Sequence, residues 1–296
     1  MLKNSHRFTN NTFKYLLIGS NGLLGKAIKK KISKKQIKTL ARKRASFNLN
    51  LENFSKLEKV FKKYKFRYVI NCAAITDLKK CQKNFDKCKK INSLLPKYLS
   101  KFSSKYNFKL IQISTDQFFV NKKFKLNKEN DKIFPVNEYA RSKMMCENFV
   151  KKNKSNLIIR TNFTGFKHDG KNSTFIEWLT SSIRAKKKVN LFNDLFVSTI
   201  DVNTCASLIL NLIKIDACGI YNCSTNTAIS KKQFALYFSK KIKKDLIYND
   251  VPVSIDHVKR QKYLGLDTKK IEKKLGKNMI SPYKAINNLA REYLKN

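Results

Sequence analysis

Acidic residues are what this chain has least of. Against 64 lysines and arginines it carries 20 aspartates and glutamates, and its formal net charge is +44 over 296 residues. A surface of one sign attracts polyanions at low salt, which brings nucleic acid and anionic membranes into view. No helix-turn-helix, zinc-finger or RRM-type signature accompanies the charge, and the lysines run the whole length of the chain instead of gathering in one tail. The charge therefore reads as a compositional background, such as an A/T-rich coding sequence produces, with no specific nucleic-acid partner. It still favours a small anionic ligand, a dinucleotide or a nucleotide sugar. Long apolar runs are missing as well. None approaches the roughly 20 residues of a membrane-spanning helix, which excludes a membrane span. The seven cysteines (Cys72, Cys81, Cys88, Cys146, Cys205, Cys218 and Cys223) form no CxxC, and none stands beside a histidine at ligand spacing. A zinc framework or other structural metal is excluded on that ground, and scattered cysteines of odd number read as reduced thiols of a cytoplasm-like compartment. The opening "MLKNSHRFTNNTFK" lacks the apolar core of a secretory signal. It is basic and acid-free, as organelle-targeting peptides are, but is expected to be a short disordered extension over 1–13 of a soluble, cytoplasmic protein.

What the chain does have is enough apolar matter for a core, 42% of its residues, in one large domain or two intimately joined. Short runs rich in Ile, Leu and Val alternate with longer basic amphipathic stretches. Strands are expected at 15–20, 37–42, 67–74, 109–115 and 156–161, with helices at about 23–34, 57–65, 88–106 and around Lys143. Continuous apolar strands separated by helices of this length indicate a parallel sheet covered on both faces. The expected fold is α/β, a doubly wound, Rossmann-type parallel sheet over 14–161, followed by a smaller C-terminal substrate-binding region over 162–296. Helices are expected there at 175–185, 204–214 and 230–242, and a strand near 219–224 is expected to return to the sheet.

Glycine is rare, 8 in the chain, yet three fall in "GSNGLLG" between the first strand and first helix: Gly19, Gly22 and Gly25. Glycines in a strand–loop–helix unit let the backbone approach a pyrophosphate that the helix N-terminus favours. The spacing is GxxGxxG, and Ser20, Asn21, Leu23 and Leu24 complete the loop. At the end of the second strand, where an acid would read the ribose hydroxyls of NAD, stands "LARKRASFN" with Arg42, Lys43 and Arg44. The missing carboxylate favours NADP(H) over NAD(H). Cys72, Ala73, Ala74 and Thr76 follow the third strand, and Ser114, Thr115 and Asp116 follow the fourth, where ligands of doubly wound sheets sit. In "NEYARSKMMCEN", Tyr139 precedes Lys143 by four residues, so the two share a helix face. A lysine-rich helix produces that spacing by accident; set after a phosphate loop and a Ser-Thr-Asp strand end, it makes proton transfer plausible.

GxxGxxG, "NCAA", "STD" and "YARSK", in this order, resemble the extended short-chain dehydrogenase/reductase superfamily, and within it the dTDP-4-dehydrorhamnose reductase group. The resemblance covers about residues 14–275. It implies NAD(P)H-dependent reduction of a nucleotide-linked 4-keto sugar, in deoxysugar and surface-polysaccharide biosynthesis, and is compatible with a homodimer. It implies Tyr139 as proton donor to the carbonyl oxygen. Lys143 would lower that phenol from its ordinary pKa near 10 and bind the nicotinamide ribose. Thr115, or Ser114 beside it, would hold the carbonyl, Asp116 would assist protonation near the sugar, and Asn92 would help build the site. Asn162, Phe163 and Arg260 match the substrate side. There are departures. Phe163 stands where the rhamnose-forming reductases commonly carry tryptophan, Arg260-Gln261 replaces Arg-Pro, and "VNKKF" lacks the usual Asp-Gly. Two other functions of the superfamily stay open: an epimerase or dehydratase that recycles its hydride, and a non-catalytic NADP-binding regulatory subunit. Gln117, where dehydratases usually carry a carboxylate, argues against the dehydratase. Retention of both Tyr139 and Lys143 argues against the regulatory subunit.

Overall fold

The computed structural model describes residues 12–119, 125–169 and 173–295. Strand β1 (Thr12–Ile18) leads through α1 (Leu23–Lys30) to β2 (Ile37–Ala41) and the two-residue β3 (Phe47–Asn48), and α2 (Phe54–Lys63) crosses back to β4 (Lys65–Asn71). Helices α3 (Leu78–Lys83), α4 (Phe85–Lys89) and α5 (Leu95–Lys105) precede β5 (Lys109–Ile113), and α6 (Glu138–Val150) precedes β6 (Leu157–Thr161). The second half begins with β7 (Phe163–Thr164), α7 (Phe175–Arg184), β8 (Val189–Phe192), β9 (Phe196–Val197), β10 (Ile200–Asp201) and α8 (Val202–Lys214). It ends with β11 (Gly219–Cys223), β12 (Ile229–Ser230), α9 (Lys231–Lys241), β13 (Tyr248–Val251), α10 (Lys269–Leu275) and α11 (Pro282–Leu294). Among the described residues no helix is long and apolar enough to cross a membrane.

Seven strands form one sheet in the order β11-β6-β5-β4-β1-β2-β3, every neighbouring pair parallel. The α/β, Rossmann-type class is therefore the observed one. Successive side chains of a strand point to opposite faces. Leu17 joins Ile28 of α1 and Ile209 of α8 on one face, while Leu16 and Ile18 join Leu57, Phe61, Leu99 and Cys146 on the other. Strands buried on both faces have no polar side, which is why they read as unbroken apolar runs. A third core, with Leu179, Leu191, Phe234, Phe238 and Leu289, packs α7, β8, α9 and α11 together. Strand order reverses between β1 and β4, and the crevice outside the carboxyl ends there is where such sheets take ligands.

Several boundaries differ from expectation. β1 begins at Thr12, with Thr12 and Phe13 registered against Lys65 and Phe66. The expected disordered extension therefore loses its last two residues, because Phe13 stacks on Phe66 at 6.3 Å; residues 1–11 lie outside the described residues. The stretch 88–106 is not one helix. A π turn at Lys90–Leu94 separates α4 from α5, and Pro96, which has no N–H to donate to the turn before it, follows directly in the first turn of α5. The expectation of seven reduced thiols is corrected at Cys81 and Cys88, which pair as a disulfide with Cα atoms 5.2 Å apart. Asn84 ends α3 and caps α4, folding the chain so that two cysteines with no motif spacing meet.

Candidate active site

The glycine loop wraps the end of β1. Gly19 has φ +77°, and a Cβ there would lie 2.7 Å from the Ala73 nitrogen, so only glycine lets the β1 and β4 ends approach this closely. A side chain at Gly25 would run into the Gly19 carbonyl. Gly22 is the N-cap of α1 and offers no side chain to its first turn, leaving backbone donors there for a ligand. The Ser20 hydroxyl is buried and has no hydrogen-bond partner. Leu23 is half-buried, and Leu24 buries its side chain in the core, so the loop faces the crevice with backbone rather than with Leu24. The Asn21 amide donates to the Lys43 carbonyl at 2.6 Å, bringing the exposed Arg42-Lys43-Arg44 turn beside the loop.

Cys72, Ala73 and Ala74 form the half-buried wall opposite Gly19, and Thr76 is exposed beyond them. Asn92 does not face the crevice directly. From the π turn it accepts the Ile75 N–H at 2.8 Å and donates to the Ile75 carbonyl at 2.9 Å and to Ser142 Oγ at 3.1 Å. It thus clamps the loop after β4 to α6. Such π bulges recur at functional sites.

Asn137 caps α6, accepting the Ala140 N–H at 2.9 Å. Its own amide donates to the Lys259 carbonyl at 2.9 Å. Tyr139 then enters in the first turn and Lys143 in the next, both buried. Burial, together with the neighbouring Asp116 and Cys146, pushes the pKa of the Tyr139 phenol up, and the adjacent Thr115 opposes the shift. Lys143 is not among the groups that chiefly set this shift. The Lys143 ammonium turns instead to the Ile113 carbonyl at the end of β5, 2.9 Å away, and burial lowers its own pKa against the opposing influence of Cys146, Glu147 and Cys72. Its proximity to Cys72 links α6 to the glycine-loop wall. Ser114 points inward, donating to Glu147 Oε1 at 2.6 Å. Glu147 is gripped by Arg160 through its Nε at 3.0 Å and Nη2 at 2.7 Å.

Beyond Thr115, buried Asp116 accepts from Gln117 at 2.9 Å and from the Asn162 amide at 2.7 Å. Burial raises its pKa, while those two bonds and the more distant Lys231 pull it down. Phe163 is half-buried against the first core. Arg260 pairs with Asp256 and lies near enough to Lys231 to depress that lysine. Sequence reasoning missed Glu147, Arg160, Thr199 and Lys231. A buried acid in "MMCENFV" and a lone arginine in "LIIRT" are charges inside apolar patterns, which was a usable signal for the first two. Lys231 carried none in a chain so rich in lysine.

A glycine loop, a Thr-Asp strand end and a Tyr–Lys helix around one switch-point crevice define an oxidoreductase of the extended short-chain dehydrogenase/reductase class. The RmlD substrate binding domain family matches residues 13–294, and the chain belongs to that family. It is 25% identical over 272 residues, 87% of this chain and 91% of the relative, to a probable low-salt glycan biosynthesis reductase of Haloferax volcanii. It is 26% identical over 223 residues, 75% of this chain and 77% of the relative, to a spore coat polysaccharide biosynthesis protein of Bacillus subtilis. Its fold is that of a dTDP-4-dehydrorhamnose reductase of Clostridium acetobutylicum, with TM-score 0.85, 24% identity and coverage of 96% and 100% of the two chains. The corresponding reductase of Bacillus anthracis, solved in complex with NADP, gives TM-score 0.86 at 23% identity, covering 95% of this chain and 99% of that one.

Proposed function

We propose that the protein reduces the keto group of a nucleotide-linked 4-keto sugar with NADPH, in the making of a deoxysugar for a glycan or surface polysaccharide. The observation that carries this reading is the juxtaposition of buried Tyr139 with Thr115, one helical turn from a lysine anchored on the same strand end. The residues present fit a dinucleotide. The partnerless Ser20 hydroxyl, the side-chain-free faces at Gly19 and Gly25 and the uncapped start of α1 form a cradle for a pyrophosphate. The exposed Arg42, Lys43 and Arg44, without a carboxylate at the end of β2, support a 2′-phosphate; the Bacillus anthracis relative's NADP is consistent with that preference. The bound cofactor would supply hydride to the carbonyl carbon.

The chain's own residues do the rest. Thr115 holds the carbonyl oxygen in reach of the phenol, and Tyr139 gives that oxygen its proton. Lys143 stabilises the charge left behind and orients the ribose, and Asp116, whose pKa burial raises, sits beside the sugar as the group that passes on a replacement proton. The test is consumption of NADPH by the full chain with dTDP-4-keto-6-deoxyglucose or dTDP-4-dehydrorhamnose. Stoichiometric oxidation is expected, and Tyr139→Phe should lower kcat by about 10²–10⁴-fold. Sugar interconversion without net oxidation would overturn the reading in favour of an epimerase, and unchanged turnover in Tyr139→Phe would overturn the role of the tyrosine.

A further inference from the structure

Lys231 is the first residue of α9. Its ammonium donates to Thr199 Oγ1 at 3.3 Å and lies 4.4 Å from the centre of the Phe175 ring. The Thr199 hydroxyl in turn donates to Asn162 Oδ1 at 2.9 Å, and the Asn162 amide donates to Asp116 Oδ2 at 2.7 Å. Every donor in this chain points the same way, from ammonium to carboxylate. The two charges therefore feel one another without touching, and among the described residues the ammonium has no ion-pair partner. Two of its three N–H donors are left over.

The surroundings make an unpaired cation costly. The positive end of α9 lies beneath it, and Arg260 adds a second cation; together with burial, which is the larger effect, Arg260 lowers the Lys231 pKa to about 8 against the pull of Asp116. A neutral side chain would fill the space under Phe175 at less expense. A held, half-satisfied ammonium beside a second cation is the arrangement that an anionic group completes.

We propose that Lys231 is a specificity-determining residue whose ammonium receives an anionic oxygen of the bound sugar nucleotide, with Thr199 and Asn162 coupling that contact to Asp116. The inference rests on the sugar-nucleotide reading above. The anion is either the diphosphate that joins nucleoside to sugar or a carboxylate on the sugar ring, and the two sources are separable.

The experiment is calorimetric titration of the full chain and its Lys231→Met, Lys231→Gln and Lys231→Arg variants with NADPH, dTDP, thymidine, UDP-glucose and UDP-glucuronate. NADPH affinity is expected to be unchanged in all variants, which also reports that they fold. If the diphosphate is the partner, Lys231→Met and Lys231→Gln lose about 10- to 100-fold in dTDP affinity, Lys231→Arg keeps most of it, and thymidine is unaffected. If a sugar carboxylate is the partner, dTDP binds equally to all, and only the preference for UDP-glucuronate over UDP-glucose collapses in the two neutral variants. Equal binding of every ligand to wild type and variants overturns the inference alone. A wild-type chain that binds NADPH but no nucleotide or nucleotide sugar overturns the sugar-nucleotide reading and this inference with it.

Discussion

At the scale of single residues, the site keeps ionisable groups where burial opposes their charge. Lys143 is the clearest case, with an ammonium nearly sealed from water and satisfied chiefly by the Ile113 carbonyl. That carbonyl also accepts from Gln112 at 2.8 Å, so removing the lysine orphans nothing. Lys143→Met is expected to abolish turnover while raising Tm by about 2–4 °C, by the usual exchange of stability for function. The sign with pH follows from linkage. A lysine whose folded pKa is depressed costs stability at neutral pH, and the cost disappears as pH rises through the folded value toward about 10.4. The Tm gap between variant and wild type, followed by thermal melts from pH 7 to pH 10, should therefore shrink; a constant gap would assign the gain to packing instead. The proposed cofactor preference also rests on one turn. Arg42→Glu should weaken NADPH by about tenfold or more while sparing NADH, measured as the ratio of the two Kd values. The Tyr139–Lys143 pair was legible because helical spacing, position after a strand and a preceding Ser-Thr-Asp all coincide. The direction of the Lys143 ammonium was not legible, since it depends on where the β5 carbonyls end in space. Lys231 was hidden by number alone.

At the scale of elements, what holds the crevice in shape is a set of polar ties between secondary structures. Asn92 binds both the N–H and the carbonyl of Ile75 and reaches Ser142 on α6. Asn92→Leu leaves those groups without partners and is expected to cost about 2–4 kcal/mol, with the Ile75 amide exchanging its hydrogen faster than its neighbours. The Glu147–Arg160 pair, both side chains buried, joins α6 to β6 and, through Ser114, to the end of β5. Glu147→Leu alone strands a buried guanidinium and should cost about 3–5 kcal/mol; combining it with Arg160→Met should recover much of that loss in denaturant titrations. The long strands were visible in the sequence because a sheet covered on both faces demands continuous apolar runs. The two-residue pairings β3, β7, β9, β10 and β12 were not, being shorter than any period that a pattern could reveal. The π turn escaped for a related reason: Cys88 to Tyr106 keeps its helical apolar spacing through the interruption.

At the scale of the whole molecule, charge and fold pull apart. With a net charge of +44, self-repulsion should make the protein more stable as salt screens it. Tm is expected to rise when NaCl goes from about 20 to about 200 mM, over which the screening length falls to several ångströms. Retention on an RNA or heparin matrix should vanish over a comparable range, as association by counterion release alone requires. The sheet order carries a consequence for how the chain is made. β11, near residue 220, pairs with β6 at the rim of a sheet whose other strands all precede residue 162. During synthesis the first six strands emerge while the edge of β6 has nothing beside it, and α8, which covers one face of the core, comes later still than β6. A nascent chain of about 160 residues should therefore be a poor folder that needs shielding until another sixty residues leave the ribosome, whereas release past Cys223 lets the sheet close. Stalled fragments ending before and after that point should differ sharply in solubility and protease resistance.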